Sequence, residues 1–433
     1  MKSSSSIPAR RQYMVECKAE KIIFFLWILF FAAFIFLVDV KHVRYKLIIS
    51  ELVILSFFFL WFWSSSKRIF FNLKKTVLIP LISYCLMFTV FYFFSVNRPV
   101  AVTQWQRIIF SGGAFFIGFA VFPSSYRLKL INILVVFTGL ISLYGVLQYT
   151  GGAGKLQVPK MSRVFATFGN PNFFASFLAG VIPVMLGLFY IRKKFWILCI
   201  LTVSSAAFVL TFSRGAWLGL GIACFICLIL MDKTKKAFKY ALLGFVLIIF
   251  TVGIFAPKQI MRKTQRLLIW RDTLAMFVAN PLTGVGIGRF HNEFPNYASA
   301  DLLEILPQGR FIVNYAHNEF IEMLAESGIA GMGVYLWFLT VCYFSFLKSR
   351  TRDRIHWGSL CGATAILMHS MVSVNMRFTV SSICAFMLLG ISLNQTGADV
   401  YSFGFDVKKI LPGAGVLAVL VSLGSIVVEP LIS

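Results

Sequence analysis

The chain has 433 residues, 59% of them hydrophobic and 13% charged, with 48 phenylalanines. A soluble domain carries about 25% charged residues, so this composition excludes a soluble globular protein and makes the lipid bilayer the solvent. A formal charge of +25 would suggest nucleic acid in a soluble chain, but here Lys and Arg stand in short clusters between apolar runs, where they set topology. No nucleic-acid partner is expected.

Apolar runs bounded by charge, Pro or Gly predict spans near 22–38, 47–63, 77–96, 108–122, 130–149, 173–191, 195–212, 215–231, 240–256, 328–347, 357–373, 379–395 and 410–428. The expectation is an all-α, polytopic integral membrane protein with about 12–13 transmembrane helices, the run at 410–428 being the weakest. Lys2, Arg10, Arg11, Lys18 and Lys21 precede the first run and no small-residue cleavage site follows it, so it reads as a retained span. With the N-terminus cytoplasmic, the clusters Lys67–Lys75, Arg192–Lys194, Lys233–Lys239 and Lys348–Arg354 all fall inside. Only Lys41, Arg44 and Lys46 run against this orientation. No repeat or linker divides the chain, and residues 1–433 read as one membrane domain with a large extracytoplasmic loop at 257–316. Seven of the eight cysteines, Cys224 and Cys227 among them, lie in apolar runs and read as packing residues.

Along the chain, the first chemical signal is SRVFATFGNPNFFASFLAG before the sixth span. Gly169-Asn170-Pro171-Asn172 reads as a turn opening a helix, with Asn172 able to cap and the helix N-terminus facing outward. A plain capped turn is the simpler reading. An anion held there would find Arg163 as its nearest cation in sequence.

Arg214, in VLTFSRGAWLGLG, stands between two apolar runs too close together for a true loop, which places its guanidinium at the external interface. It reads either as a snorkelling turn residue or as an anion site whose planar fork suits phosphate. Residues 262–278 predict an amphipathic helix with Leu267, Ile269, Trp270, Leu274 and Phe277 suited to an interface, ended by Pro281. Arg262, Arg266, Arg271, Arg289 and Arg310, like Arg163 and Arg214, need partners, since lipid-facing helix has no use for arginine. Gly284-Val-Gly286-Ile-Gly288 reads as a tight turn and not a nucleotide fingerprint, because no parallel-sheet unit surrounds it. Helix resumes at His317-Asn318-Glu319-Phe320, with His317 at the external mouth of the tenth span and Glu322 and Glu326 on neighbouring turns. His317 titrates nearest neutrality and is the candidate base, with His291 as its rival. The external carboxylates Asp272, Glu293, Asp301 and Glu304 are scattered, which disfavours a metal site, and no cofactor is expected.

TFSRGAWLGL, WRDTLAMFVANPLTGVGIGRF and AHNEFIEMLAESGIAGMGVYLW together resemble the O-antigen ligase and polymerase superfamily of membrane glycosyltransferases, over about residues 160–345. His317 with Gly328 is similar to the histidine-to-glycine motif of the ligases, and Arg266 before Trp270 to their periplasmic-loop arginine motif, which usually has Leu where Trp270 stands. The resemblance implies an undecaprenyl-pyrophosphate-linked glycan donor, an acceptor hydroxyl on lipid A core or another glycan, and a place in the inner (cytoplasmic) membrane. It also implies catalytic roles for His317, Arg214 and Arg266. Arg163, Arg289, Arg271, Asn170, Asn172 and Glu326 are the expected substrate-binding residues. A polymerase using the same donor is the nearest alternative reading. A transporter or flippase is the remote one, since it should show charged or broken helices at mid-membrane in both halves.

This topology is checked by labelling single cysteines with a membrane-impermeant reagent in spheroplasts. Ser299→Cys should react and Lys235→Cys should not; the reverse pattern would turn the molecule over and remove the site from the external face.

Overall fold

The computed structural model describes residues 24–29, 31–32, 54, 69–70, 75–121, 126–153, 156–157, 159–231, 260–305, 313–349, 352–394 and 404–405. The expected spans at 47–63, 240–256 and 410–428 lie outside these residues, and that at 22–38 is described only in part. The protein is an all-α polytopic membrane protein. Among the described residues the only strands are two-residue pairs, Ile69–Phe70 with Gly404–Phe405 and Gly152–Ala153 with Leu156–Gln157.

The membrane helices are α1 (Lys75–Phe93), α2 (Arg98–Phe116, continued by a π turn at Ile117–Val121), α3 (Arg127–Thr150), α4 (Pro171–Arg192), α5 (Phe195–Leu210) and α6 (Arg214–Leu230). The segment at 257–316 supplies α7 (Ile260–Ala279), the short α8 (Phe290–Glu293) and α9 (Ala300–Ile305). The chain then returns through α10 (Glu319–Lys348), α11 (Arg354–Ser370) and α12 (Thr379–Leu393). Four helices, α1 from Thr76, α3, α4 and α10, are long and apolar enough to cross a bilayer, while α5, α6 and α12 are apolar but shorter. Phe195, Leu86 and Phe344 on these helices are exposed, as suits a surface solvated by lipid.

Two helices start well before the runs read from hydropathy. α2 begins at Arg98 and carries Arg107 in its interior, and α10 begins at Glu319 instead of near 328. A buried charge ends an apolar run on paper, but it does not end a helix when the charge is paired, and Arg107 and Glu319 pair with each other at 3.4 Å.

α11 is the hub of the bundle, packed between α4 and α6 and against α12. Lipid supplies little hydrophobic drive between helices, so helices gain by approaching closely over small residues. At Gly362 of α11 a Cβ would collide with the carbonyl oxygen of Gly180 in α4, so only glycine fits. Gly333 of α10 is the contrast, with nothing within 4 Å of where its Cβ would stand.

The 257–316 segment packs a small core of its own, Ile269, Met276, Phe290, Phe294, Leu302, Val313 and Ala316, closed by Ala325 of α10. The expected amphipathic helix therefore splits its apolar residues: Ile269 faces this core, whereas Leu267 and Leu274 are exposed.

Thermal unfolding in lipid or detergent tests the packing. Gly362→Val should destabilise the protein by about 1–3 kcal/mol or more through overpacking. Gly333→Ala should be neutral or stabilise by about 0.5–1 kcal/mol, since glycine is a poor helix former.

Candidate functional site

The N-terminal ends of α4 and α6 lie side by side at one end of the bundle. Asn170 caps α4, its side chain accepting from Asn172 N at 2.8 Å with Pro171 in the first helical position. The cap is thus two residues earlier than the sequence suggested, because Pro171 has no N–H to satisfy and a fixed φ that suits helix entry. Asn172 instead joins two neighbouring segments, its Oδ1 accepting from Ser213 Oγ at 2.9 Å and from Arg163 Nη2 at 3.3 Å. Arg163 also donates through Nε to Thr211 O at 2.9 Å. Phe212 holds φ 48°, so the chain turns sharply into α6, whose first residue is the half-buried Arg214. Two helix N-termini and two arginines make this a region of positive potential.

The C-terminal end of α11 completes the region. His369 is buried, with its Nδ1 2.6 Å from Ser176 Oγ of α4. A Cβ on Gly215 would stand 3.1 Å from His369 Cδ2 and 2.8 Å from Val372 Cγ2, so the first turn of α6 rests on both residues. Val372 O in turn accepts from Arg266 Nη1 of α7 at 3.3 Å. Val372 therefore joins the Arg214 turn to the Arg266 helix.

One turn beyond Arg266, Trp270 donates from Nε1 to Ala316 O at 2.8 Å. The next residue, His317, stands before the N-cap Asn318 of α10 in the left-handed region, φ 58°. Helix thus starts two residues later than the sequence suggested, and His317 is on the approach to it. His317 is half-buried; that burial, and then the positive charge of Arg266, push its pKa down to about 4. The ring is therefore neutral at neutral pH. An aromatic run joins it to α4: Tyr315 lies 6.3 Å from Phe378 and Phe378 3.8 Å from Phe173, centroid to centroid.

His317, Arg266, Arg214, Arg163, Asn170 and Asn172 thus meet around the ends of α4, α6 and α11. Arg271, Arg289 and Glu326 are engaged elsewhere. Arg271 pairs with Asp272 at 3.2 Å and Asp301 at 3.0 Å. Arg289 pairs with Glu293 and donates to Val285 O at 3.0 Å. Glu326 is buried between Arg377 Nη1 at 2.7 Å and Phe290 N at 3.0 Å. His291 is exposed on α8.

Sequence reasoning missed His369 and a buried charge network. Arg377, in the 3-10 turn Asn375–Arg377 before α12, meets Glu319 at 3.2 Å, Glu322 at 3.4 Å and Glu326 at 2.7 Å. Arg107 closes it from α2, pairing with Glu319 and donating to Met376 O. The signal was present, since Arg377 stands between two apolar runs as Arg214 does. The carboxylates answering it are at i, i+3 and i+7 on one face of α10. Gly328, φ 60°, kinks α10 just after this face, and a Cβ there would collide with the Leu282 carbonyl.

Residues 197–336 match the family model described as O-antigen ligase. No curated protein matches the chain. The matched stretch contains Arg214, Arg266 and His317 and ends before Arg377. This match supports placing the protein with the O-antigen ligase superfamily, and with it a glycan ligase or polymerase type of function at a membrane.

Proposed function

We propose that the protein is an inner-membrane glycosyltransferase that moves a glycan from undecaprenyl pyrophosphate to an acceptor hydroxyl, that of lipid A core, on the external face. The observation that carries this reading is that the first turn of α6, which opens with Arg214, rests through Gly215 on Val372, whose carbonyl accepts from Arg266, with His317 close enough to feel the Arg266 charge. Two guanidiniums at the mouths of membrane helices suit a lipid diphosphate, whose charge stays at the interface while its chain remains in lipid.

In this reading Arg214 and Arg266 bind the pyrophosphate and stabilise it as it leaves. Arg163, Asn170 and Asn172 hold the adjoining helix ends that add positive potential. His317, neutral and able to accept a proton, takes the proton of the acceptor hydroxyl. The hydroxyl oxygen then attacks the anomeric carbon from the face opposite the pyrophosphate, the bond to the phosphate oxygen breaks, and the configuration inverts. A base with so low a pKa is weak, but the donor supplies a remedy: its negative charge beside Arg266 offsets the positive charge that depresses His317. The base therefore strengthens when the donor is bound. Arg271, Arg289 and Glu326, with their partners inside the protein, frame the loop and do not bind substrate. The arginines carry the leaving-group charge without a divalent ion.

The test measures lipid-linked donor binding and glycan transfer in reconstituted protein. His317→Ala should leave donor binding nearly intact and lower the transfer rate by about 10²–10⁴-fold. Arg214→Lys keeps the charge and loses the two-pronged fork, so it should weaken donor binding, and wild-type turnover should survive EDTA. Near wild-type transfer by His317→Ala would make the histidine structural; turnover restored only by Mg²⁺ or Mn²⁺ would overturn the arginine assignment.

A further inference from the structure

Ala316, the residue that delivers His317, is held from two directions through two successive peptide units, and neither holder belongs to the transfer machinery described above. Ala316 N donates to Glu322 Oε2 at 2.7 Å, and Ala316 O accepts from Trp270 Nε1 at 2.8 Å. Trp270 is four residues from Arg266 on α7, one turn of the same helix. Glu322 is on the first turns of α10, is buried, and has its other oxygen 3.4 Å from Arg377 Nε. Asn318, on the far side of His317, is fixed as the α10 cap, accepting from Phe320 N at 3.1 Å and Ile321 N at 3.2 Å. His317 between these fixed points has φ 58°, a conformation that a residue with a Cβ keeps only where its surroundings enforce it.

From this arrangement we infer that Glu322, anchored by Arg377, and Trp270 are positioning residues that hold His317 in register with Arg266. Glu322 fixes the peptide N–H that enters Ala316 to the membrane bundle. Trp270 fixes the carbonyl that leaves Ala316, in the peptide it shares with His317, to the helix that carries Arg266. The base and the leaving-group arginine are therefore set against each other through one shared residue, Ala316. Glu326 makes the parallel link for the 284–294 turn, since Arg377 holds its carboxylate and Phe290 N donates to it. Arg377 thus ties the middle turn and the C-terminal end of the 257–316 segment to α10. Three buried carboxylates facing two arginines at the foot of an external loop have no role in binding donor or acceptor, and this use accounts for them.

The inference rests on the proposed role of His317, and two readouts keep the two apart. The first reads position alone: carbethoxylation of His317 by diethyl pyrocarbonate, followed by peptide mass mapping in the reconstituted full-length protein. Glu322→Ala, which removes the acceptor for Ala316 N, and Trp270→Phe, which removes only the indole donor, should each speed modification of His317 several-fold. Glu322→Gln retains an acceptor oxygen and should react as wild type does. The second readout is transfer: Glu322→Ala and Trp270→Phe should lower kcat by about 10–100-fold, the cost of about 1 Å of misplacement, with the donor KM little changed, while Glu322→Gln recovers most of the rate. Unchanged modification in both Glu322→Ala and Trp270→Phe would overturn the positioning role. Faster modification with undiminished kcat would leave positioning standing and remove His317 from the chemistry. Should Glu322→Ala fail to fold, Trp270→Phe decides alone, because it leaves the charge network intact.

Discussion

The rest of the structure depends on one buried guanidinium. Arg377 is embedded among Glu319, Glu322 and Glu326, with Arg107 supplying the second positive charge. In a bundle solvated by lipid these groups have no water to fall back on, and stripping one partner from such a cluster costs about 3–5 kcal/mol. Their pairing therefore fixes where α2, α10 and the turn before α12 meet. It does so at the end of the bundle where the 257–316 segment joins it, directly against the loop whose backbone two of the carboxylates also grip.

That constraint explains why a loop can present chemistry with the accuracy of a helix. Loops are where catalytic residues gather, but only when a rigid scaffold holds them. Here the scaffold reaches into the loop by two hydrogen bonds, Ala316 N to Glu322 and Phe290 N to Glu326. The loop answers with a third, from Arg266 to Val372 O at the end of α11. The membrane helices and the 257–316 segment are bound at several points, backbone bonds such as Val285 N to Ala325 O among them, around the place where His317 and the arginines meet.

The helical architecture was legible because lipid imposes it: every spanning segment must satisfy its own backbone, so long apolar runs can be little else. Arg214, Arg266 and His317 stood out in the sequence because charge at a membrane boundary needs a reason and because their surroundings resemble a known family, and the roles proposed for them rest on where the fold brings them. The early start of α2 was not legible, since hydropathy treats Arg107 as a boundary and has no means of seeing that Glu319 neutralises it across 212 residues; the first turns of α10 were read as helix, but their charges kept them out of the expected span. Arg289 and Arg271 misled for the converse reason. An arginine in an external loop looks like a ligand for phosphate until its carboxylate partners, Glu293 for one and Asp272 and Asp301 for the other, are seen beside it. The sequence offered Asn172 as the cap and the fold gives that role to Asn170, because Asn172 bridges to Ser213 and Arg163, which only the fold brings near.

The most direct measurement is a structure of the protein in lipid discs with undecaprenyl pyrophosphate bound. The account requires the diphosphate to lie against both Arg214 and Arg266, at the short distances of about 2.7–2.9 Å usual for charge-assisted hydrogen bonds. It also requires the His317 ring to stand on the side from which an acceptor oxygen would approach. A diphosphate seated instead on Arg271 or Arg289, with His317 turned away from it, would contradict the account.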